Sequence, residues 1–493
     1  MSQYIIALDE GTSSCRAVLF DAKAQIVDVT QQEFTQIFPN SGWVEHDPEE
    51  IWTKQLEVLT ELIQKNSVKS TDIAAIGITN QRETTLIWDK KTGEPIYNAI
   101  VWQDRRTADI CENLIKDGWE DIIKAKTGLV VDAYFSGTKI QWILDQVPQA
   151  RAKAEAGELL FGTMDSWLIW KLTKGKQHVT DCTNACRTML MNIESQEWDE
   201  ELLEALNVPI QILPEIKDSD AHFGNWEFDG ATIPIQSVLG DQHAALFGHG
   251  AWHQGDAKNT YGTGCFMLMN TATNYVPSDL GLLSTVAWRR SGKVCYALEG
   301  SVFIAGAAIQ WLRDGLKIID SAKDTENMAN EAIDDEHLVV VPAFAGLGAP
   351  YWDMNARGAI FGLTRGSGQA EIVRATLQSL ALQTYDVLEA MQTDSGIKLS
   401  ALKVDGGAIA NNYLAQFQSD ILDVEIHRPQ NLEATASGAA YMAGLAIDFW
   451  NENFILEQSK LERRFTPEMS SAEKEKHITL WKKAIERTRG WLS

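Results

Sequence analysis

The chain is 493 residues long, more than a single hydrophobic core usually serves, so two large domains are expected. Hydrophobic residues make up 45% of the sequence and charged residues 23%, a balance typical of folded proteins and unlike that of disordered chains. The net charge of −25 argues against a nucleic-acid partner or an anionic membrane surface, but not against a nucleotide site, which needs only local N–H groups and one or two cations.

Short strands open the chain. The apolar runs Tyr4–Leu8 and Arg16–Phe20 flank a Gly-Thr-Ser-Ser turn and predict a β-hairpin with a phosphate-sized tip. Ile26–Val29 predicts a third strand, and apolar residues at helical spacing predict a helix from about Pro48 to Ile63. Two further strands and two further helices are predicted at Ala74–Ile78, Thr85–Trp88, Asp104–Ile115 and Thr138–Asp145. This succession favours an α/β domain with a mixed sheet.

The opening pattern recurs near the middle of the chain. Asp256–Tyr261 runs into a Gly-Thr-Gly tip, and the strand-like run Cys265–Met269 follows. We interpret this as an internal repeat that starts a second domain, with the boundary near Gly248–Gln254, giving domains of residues 1–249 and 250–493. Two such tips facing each other would hold one phosphate chain between the domains. Later elements are predicted at Ser301–Leu312 (helix), Ile372–Gln392 (helix), Leu402–Val404 (strand) and Glu433–Ile447 (helix).

Localisation signals are lacking in the sequence. The first nine residues have no basic region and no long apolar stretch, so a signal peptide is not predicted. No apolar run reaches the ~18 residues that a membrane span needs, and the longest candidate, Leu338–Pro350, contains Pro and Gly. The six cysteines form no CxxC pair, which disfavours a zinc ribbon and suits thiols in a reducing compartment. We expect a cytoplasmic enzyme.

The first chemical motif follows the first strand. Asp9 ends a buried strand, where a carboxylate is poorly solvated unless it meets a metal ion or a cation. A glycine turn with hydroxyl groups comes next, which suits Mg²⁺ held through water and N–H and O–H groups facing phosphate oxygens. Arg16 adds a cation that would neutralise a transferred phosphoryl group. The alternative is an ordinary hairpin with a Ser/Thr turn. The hydroxyl residues are Thr12, Ser13 and Ser14.

Two further motifs place Asp and Gly at the ends of apolar stretches. In Gly240–Leu246, Asp241 is a candidate general base or second magnesium contact, whereas His243 suits a polar helix position better than a ligand. In Val404–Asn412, two glycines between strand and helix allow a ligand to approach the backbone, and the helix N-terminus adds its dipole. A tight βα turn is the alternative for this weak signal. The order of the three motifs is more specific than any one of them.

The three motifs together resemble the sugar-kinase branch of the actin/Hsp70/hexokinase superfamily. Tyr134–Lys139 and Gly358–Arg365 are similar to the two signatures of the FGGY carbohydrate kinases. The members of that family that phosphorylate glycerol are the most similar, and the resemblance runs from about Tyr4 to about Arg464. It implies an α/β fold of two ribonuclease H-like (actin/hexokinase-type) domains with a catalytic cleft between them. The segments that carry it are Gly42–Pro48, Thr79–Thr84, Trp102-Gln103, Asn259–Gly264 and Gly346–Trp352.

The resemblance also implies a role for each matching residue. Those expected to hold the glycerol hydroxyls are Arg82, Glu83, Tyr134, Asp241 and Gln242, with Trp102 and Phe266 covering the carbon face. Those expected to contact phosphates are Thr12, Ser13, Ser14, Arg16 and Thr263, and those expected to line the adenine nucleotide are Gly306, Gln310, Gly407 and Asn411. Asp9, with Asp241, is expected to organise Mg²⁺ through water. An exposed Arg82–Glu83 pair and plain core filling by Trp102 are the structural alternatives.

One position departs from the pattern. Glu10 stands where many relatives have Gln, and an extra carboxylate near phosphate is unfavourable unless it points away or meets a cation. Its role is left open by the sequence.

The expected reaction is ATP-dependent phosphorylation of glycerol to sn-glycerol 3-phosphate, with Asp241 as base and Arg16 and Asp9 assisting. ATP and Mg²⁺ are the expected cofactors, and a homodimer or homotetramer is expected by analogy, without nucleic acid or membrane insertion. One alternative is an FGGY kinase for a pentulose, a pentitol or gluconate. A second, of another class, is a nucleotide-dependent switch ATPase, which would hydrolyse ATP without any polyol.

Overall fold

The computed structural model describes residues 3–333 and 337–492, which form two large mixed β-sheets and four two-stranded sheets, flanked by helices. The first half of the chain contains the strands β1 (Tyr4–Glu10), β2 (Ser14–Asp21), β3 (Ile26–Glu33), β4 (Glu45–His46), β5 (Ile73–Asn80), β6 (Leu86–Asp89), β7 (Ala99–Ile100), β8 (Leu159–Gly162), β9 (Val179–Asp181), β10 (Glu215–Lys217), β11 (Gly224–Phe228) and β12 (Ala231–Gly240). Its helices are α1 (Pro48–Lys65), α2 (Ala108–Lys116), α3 (Glu120–Thr127), α4 (Ser136–Gln146), α5 (Ala150–Glu155), α6 (Met164–Leu172), α7 (Cys182–Ala185), α8 (Glu200–Ala205) and α9 (Asp241–Gly248).

The second half contains the strands β13 (Ala257–Tyr261), β14 (Cys265–Ala272), β15 (Leu283–Arg290), β16 (Lys293–Val302), β17 (Val339–Val341), β18 (Ala359–Phe361), β19 (Ala401–Asp405), β20 (Glu425–Pro429) and β21 (Leu461–Phe465). Its helices are α10 (Gly306–Gln310), α11 (Asp324–Glu331), α12 (Gln369–Ser395), α13 (Asn412–Leu422), α14 (Ala434–Ala446), α15 (Glu452–Gln458) and α16 (Ser471–Thr488).

The two large sheets share the arrangement of their central strands. The first has the order β11-β12-β5-β1-β2-β3, with β1 antiparallel to β2 and parallel to β5. The second has the order β15-β16-β14-β13-β19-β20-β21, with β13 antiparallel to β14 and parallel to β19. In each sheet a hairpin is therefore followed by parallel strands, and the carboxyl ends of β1 and β13 both lead into a glycine turn. The predicted internal repeat is confirmed.

Most predicted elements appear with small shifts at their ends. The helix predicted at Pro48–Ile63 is α1, which begins where expected because the Asp47 carboxylate accepts hydrogen bonds from the N–H groups of Glu49 and Glu50. The helix predicted from Asp104 begins only at Ala108. The reason is that the Asp104 carboxylate is buried and accepts a 2.6 Å hydrogen bond from Val44 N.

The prediction of a helix over Ser301–Leu312 is wrong in its first part. Ser301 and Val302 complete β16, pairing with β14. Ala305 N and Gly306 N then donate to the carbonyl groups of the β13–β14 turn, and the helix α10 begins at Gly306. Small and apolar residues suited both states, and pairing with a strand distant in sequence decided between them.

Helices α9 and α14 cross between the two sheets. α14, from the second half of the chain, packs on β1, β5 and β12 of the first sheet and on α9. The approach is very close, since a Cβ added to Gly438 would lie 1.8 Å from Ala244 O and one added to Gly248 would lie 2.0 Å from Ala434 O. Glycine at both positions permits the contact between α9 and α14, and α9 also contacts strands of both sheets.

Within residues 3–333 and 337–492, every helix is too short or too polar to span a lipid bilayer. All six cysteines are buried free thiols. Cys182 and Cys186 lie on and just after α7, in the apolar surroundings expected of structural thiols.

Candidate active site

The turn after β1 is the predicted phosphate-binding segment. We call residues 11–14 the phosphate turn; Gly11 N donates to Ser14 O at 3.0 Å and closes it. Ser13 is exposed and Thr12 half-buried, whereas the Ser14 hydroxyl is buried and accepts a hydrogen bond from Gln31 at 3.0 Å. Thr12 and Ser13 are therefore the members of the turn that are open to a ligand.

Arg16 lies beside this turn between two carboxylates. Its Nη2 is 2.7 Å from Asp9 Oδ2, and its Nη1 donates to Glu433 Oε2 at 2.6 Å. Burial raises the pKa of Asp9, an effect that Arg16 opposes and that Glu433 and Asp241 reinforce. A buried carboxyl group surrounded by other carboxylates gains from an added cation, which is the electrostatic setting of a magnesium site.

Glu10 directly precedes the phosphate turn and is fully buried. Its Oε1 accepts a 2.8 Å hydrogen bond from Gln81 Nε2, while Oε2 has no hydrogen-bond partner among the described residues. Burial raises the pKa of Glu10 well above its ordinary value, although the hydrogen bond from Gln81 opposes the shift. Glu10 therefore occupies a place suited to a neutral side chain.

Arg82 and Glu83 follow β5, and both are buried, so the alternative of an exposed ion pair is wrong. Glu83 has φ of 59°, a left-handed conformation that turns the chain sharply after Arg82. Arg82 Nε lies 3.2 Å from Asp241 Oδ1, at the start of α9, and its Nη2 donates to Tyr134 at 3.4 Å. Four predicted glycerol-binding residues are thereby brought together from three segments of the chain.

Two residues that the sequence analysis missed complete this arrangement. Glu299, from β16, accepts hydrogen bonds from Arg82 Nη1 at 2.6 Å and Nη2 at 2.9 Å. Arg187, after α7, donates to Glu299 at 3.1 Å and to Glu83 at 2.6 Å. We call these four residues the charge cluster: Arg82, Glu83, Arg187 and Glu299.

The charge cluster is almost completely buried and its charges balance, with two cations facing two anions. Burial alone would raise the pKa of Glu299, but Arg187 and Arg82 hold it well below its usual range. Buried ion pairs of this kind remain stable only when their hydrogen bonds are satisfied, so the loss of one member is expected to disturb the others.

An aromatic wall lies next to the charge cluster. The Trp102 ring packs edge to face against the Tyr134 and Phe266 rings, with distances between ring centroids of 5.7 Å and 6.2 Å respectively. Trp102 Nε1 also donates to the Thr12 hydroxyl at 3.0 Å. Trp102 is half-buried and is therefore not simple core filling, since it connects the phosphate turn with the predicted glycerol-binding residues.

Gln242 is oriented by a buried lysine. Lys258 Nζ, from β13, donates to Gln242 Oε1 and to the Thr260 hydroxyl, the latter at 3.0 Å. An ammonium group can only donate, so the amide oxygen of Gln242 faces Lys258 and its NH₂ group faces Asp241, 3.3 Å away. Burial lowers the pKa of Lys258 to about 8. His243, by contrast, lies buried against Thr285, as expected of a structural residue.

The predicted nucleotide residues gather at the carboxyl edge of the second sheet. Ala305 N and Ala307 N donate to Thr263 O, and a Cβ on Gly306 would lie 2.5 Å from Gly262 O. Gly406 has φ of 93°, and a Cβ there would lie 2.2 Å from Tyr261 O. We call Gly262, Gly306, Gly406 and Gly407 the glycine edge; Gly306 and Gly406 make the close backbone approaches, and Gly407 follows Gly406.

The remaining residues predicted to bind the nucleotide differ in their exposure to solvent and in their hydrogen bonding. Gln310 is exposed at the end of α10, and Gly407 is exposed beside Gly406. Asn411 is occupied, since its side chain caps α13 by accepting from Leu414 N and also donates to Thr325. Among the described residues, no hydrogen bond or ion pair joins Gln310, Gly407 or Asn411 to the phosphate turn.

Comparison with known families matches both halves of the chain. Residues 4–248 match the N-terminal domain of the FGGY family of carbohydrate kinases, and residues 257–447 match its C-terminal domain. Similar curated proteins include the glycerol kinase of Alkaliphilus metalliredigens, 60% identical, and that of Petrotoga mobilis, 59% identical. Each alignment covers 100% of this chain and 99% of the relative.

Solved structures show the same architecture. The chain superposes on Plasmodium falciparum glycerol kinase with ADP with a TM-score of 0.92 and 35% identity, covering 99% of this chain and 98% of that one. Gluconate kinase from Lactobacillus acidophilus has a TM-score of 0.87 at 22% identity, covering 98% and 97%, and shows the shared fold alone. Together with the full-length similarity to the curated proteins, these matches place the chain in the FGGY family of carbohydrate kinases, among its glycerol kinases.

Proposed function

We propose that the protein transfers the γ-phosphoryl group of ATP to a terminal hydroxyl of glycerol, forming sn-glycerol 3-phosphate and ADP. The observation that carries this proposal is the convergence of Arg82, Asp241 and Gln242 beside an aromatic wall. Glycerol has three hydroxyl groups on a short apolar spine, and it needs fixed donors and acceptors opposite a small apolar surface.

Asp241 is proposed as the general base. A carboxylate is a far weaker base than an alkoxide, so Asp241 takes the hydroxyl proton only as the new P–O bond forms and the bond to the ADP oxygen breaks. Arg82 lies 3.2 Å from its carboxylate and holds it in place. We assign the glycerol hydroxyls to Arg82, Glu83, Tyr134, Asp241 and Gln242, and the carbon face to Trp102 and Phe266.

The phosphate chain is proposed to lie between the phosphate turn and the glycine edge. Thr12 and Ser13 donate hydroxyl or N–H hydrogen bonds, Arg16 neutralises charge on the transferred group, and Thr263 approaches from the second sheet. Ser14 closes the turn by accepting a hydrogen bond from Gly11 N. Gly306, Gln310, Gly407 and Asn411 are assigned to the adenine nucleotide, with Asn411 acting through the cap of α13.

Asp9 and Asp241 fit a magnesium ion held through water, because Mg²⁺ binds one or two carboxylates and substrate phosphates rather than a complete protein cage. The described residues contain no cluster of three or more acidic, His or Cys side chains that would form such a cage. When bound, Mg²⁺ offsets negative charge on the phosphates. Arg16 already offsets the negative charge of Asp9, and the Asp9 carboxylate would then interact with both Arg16 and the ion.

We further propose that residues 1–249 form the domain that binds glycerol and part of the phosphate chain, and residues 250–493 the domain that binds the nucleotide. Closure of the cleft between them would exclude water, which otherwise competes as the phosphoryl acceptor. The protein is proposed to act as a homodimer or homotetramer in the cytoplasm, where its six free thiols remain reduced.

An ADP-release assay with and without glycerol, extended to a pentulose, a pentitol and gluconate, tests the proposed reaction. Glycerol-dependent ADP release, with each of the other acceptors at least about tenfold poorer in kcat/KM, is expected. Equal or better turnover of a larger polyol would identify another FGGY activity. Steady ADP release without any acceptor would favour a nucleotide switch.

A further inference from the structure

Glu299 holds Arg82 from the other half of the molecule. It lies on β16, within the segment that matches the C-terminal FGGY domain, whereas Arg82 and Arg187 lie in the N-terminal one. The Glu299 carboxylate accepts hydrogen bonds from both terminal nitrogens of Arg82, at 2.6 and 2.9 Å. The Glu299 side chain is fully buried. This end-on pairing fixes the plane of the guanidinium group as well as its position.

The pairing leaves Arg82 little freedom. A guanidinium group has five N–H bonds, and Glu299 takes one from each terminal nitrogen. Nε faces Asp241 at 3.2 Å, and Nη2 also reaches the Tyr134 hydroxyl at 3.4 Å. Among the described residues, one Arg82 N–H, on Nη1, has no partner and remains for a substrate oxygen, and its direction is set by Glu299.

Glu299 is itself held from two further sides. Arg187 Nη2 donates to Oε1 at 3.1 Å, and the Ser301 hydroxyl donates to the same oxygen at 3.2 Å. Arg187 in turn holds Glu83 at 2.6 Å, so the carboxylates of Glu83 and Glu299 share one cation. The arrangement gives Glu299 a single orientation, which a residue acting only as a diffuse counter-charge does not require.

We propose that Glu299 is the positioning residue for Arg82 and that the glycerol site is complete only when β16 of the second domain is docked against the first. The inference rests on the proposed function, because it assigns Arg82 to glycerol. It makes Glu299 a link between domain docking and glycerol affinity, without contact between Glu299 and the substrate.

The test is the variant Glu299→Gln in the full-length protein, compared with wild type for glycerol KM, ATP KM and kcat. Loss of the charged acceptor is expected to raise the glycerol KM about tenfold or more, while the ATP KM changes by less than about twofold. Ser301→Ala is the matched control, because it removes one neutral hydrogen bond from the same carboxylate oxygen, and less than about a threefold change is expected. A folded Glu299→Gln protein with an unchanged glycerol KM would overturn the proposal.

A second variant separates positioning from charge balance and covers the case in which Glu299→Gln fails to fold. Arg187→Gln combined with Glu299→Gln removes one cation and one anion, which restores the balance of the cluster but not the carboxylate opposite Arg82. We expect its thermal stability to recover while its glycerol KM stays raised. A return of the KM to the wild-type value would make Glu299 only a counter-charge and overturn the proposal. A wild-type protein inactive on glycerol would instead reject the proposed function, and this inference with it.

Discussion

The charge cluster and the glycine edge are preorganised in different ways, the first by buried charged side chains and the second by backbone groups. In the charge cluster, four charged side chains are buried and joined by hydrogen bonds of 2.6 to 3.1 Å before any substrate is present. At the glycine edge, close backbone approaches replace side chains, and Gly407 and Thr263 are exposed. A small neutral polyol offers few atoms to bind, so its partners must be fixed in advance, whereas a phosphate chain is bound by N–H groups that any backbone supplies.

Because of this difference, we expect the two regions to be sensitive to different substitutions. Changes in and around the charge cluster should alter the handling of glycerol through lost side-chain contacts. Changes at the glycine edge should act through backbone geometry and affect the nucleotide.

The largest effect is expected from Asp241→Asn. The variant keeps the shape of the side chain and its place at the start of α9, but it removes the proposed base. We expect kcat to fall by about 10²–10⁴, the usual range for loss of general-base catalysis, with a smaller change in the glycerol KM. Steady-state and single-turnover kinetics measure it; a variant within threefold of the wild-type rate, with chemistry rate-limiting, would contradict the assignment.

Arg82→Ala should be next in size. The substitution removes the proposed charged donor to glycerol and leaves Arg187 as the one remaining ion-pair partner of Glu299 among the described residues. A loss of roughly 1.5–3 kcal/mol per charged hydrogen bond predicts a glycerol KM raised by about 10- to 150-fold, with the ATP KM little changed. Initial-rate kinetics with each substrate varied in turn would check this. If the ATP KM rises instead, Arg82 belongs to the phosphate site.

Gly406→Ala tests the other side of the comparison. Its φ of 93° and a Cβ that would lie 2.2 Å from Tyr261 O predict strain of about 1–3 kcal/mol and a lower melting temperature. Gly407→Ala is the matched control, because no atom of the described residues lies within 4 Å of the added Cβ, apart from its chain neighbours, and its φ is −65°. The control should keep wild-type stability while raising the ATP KM if the nucleotide passes over it. Equal stability of both variants would mean that the close approach at Gly406 is relaxed at little cost.

Much of this molecule was predictable from local sequence. Asp241, Arg82 and Gly406 each end an apolar stretch or follow it, and an acidic, basic or glycine residue at that place signals a strand edge where ligands bind. The repeated hairpins were predictable for the same reason, since a Gly-Thr tip between two apolar runs has few other structures available.

Glu299 and Arg187 were missed because their partners are distant in sequence, 217 and 104 residues away from Arg82 and Glu83 respectively. One signal was available for Glu299: an acidic residue between Leu298 and Gly300 in an apolar strand must be paired with a cation when buried. The sequence did not identify the cation. The prediction of a helix over Ser301–Leu312 was wrong in its first part for a related reason, because the end of β16 is set by its pairing with β14.

The smallest effect is expected from Glu10→Gln, a substitution of the residue that directly precedes the phosphate turn. Glu10 is buried, with one oxygen bonded to Gln81 and the other without a hydrogen-bond partner among the described residues, and burial raises its pKa well above the ordinary value. The folded state therefore holds the Glu10 proton more tightly than the unfolded state. Stability from this group is present in full below the unfolded pKa of about 4.3 and is lost as the pH rises toward the folded pKa, at up to about 1.4 kcal/mol per pH unit.

Glutamine has no proton to lose, so the variant escapes this loss. We expect the denaturation midpoint of Glu10→Gln relative to wild type to be higher at pH 8 than at pH 5, with kcat at neutral pH changed by less than about threefold. Other titrating groups, Asp9 included, are common to both proteins and largely cancel in the difference. An advantage that is the same at both pH values would show that Glu10 ionises as readily in the folded protein as in the unfolded chain, and that a charged carboxylate is tolerated directly beneath the phosphate turn.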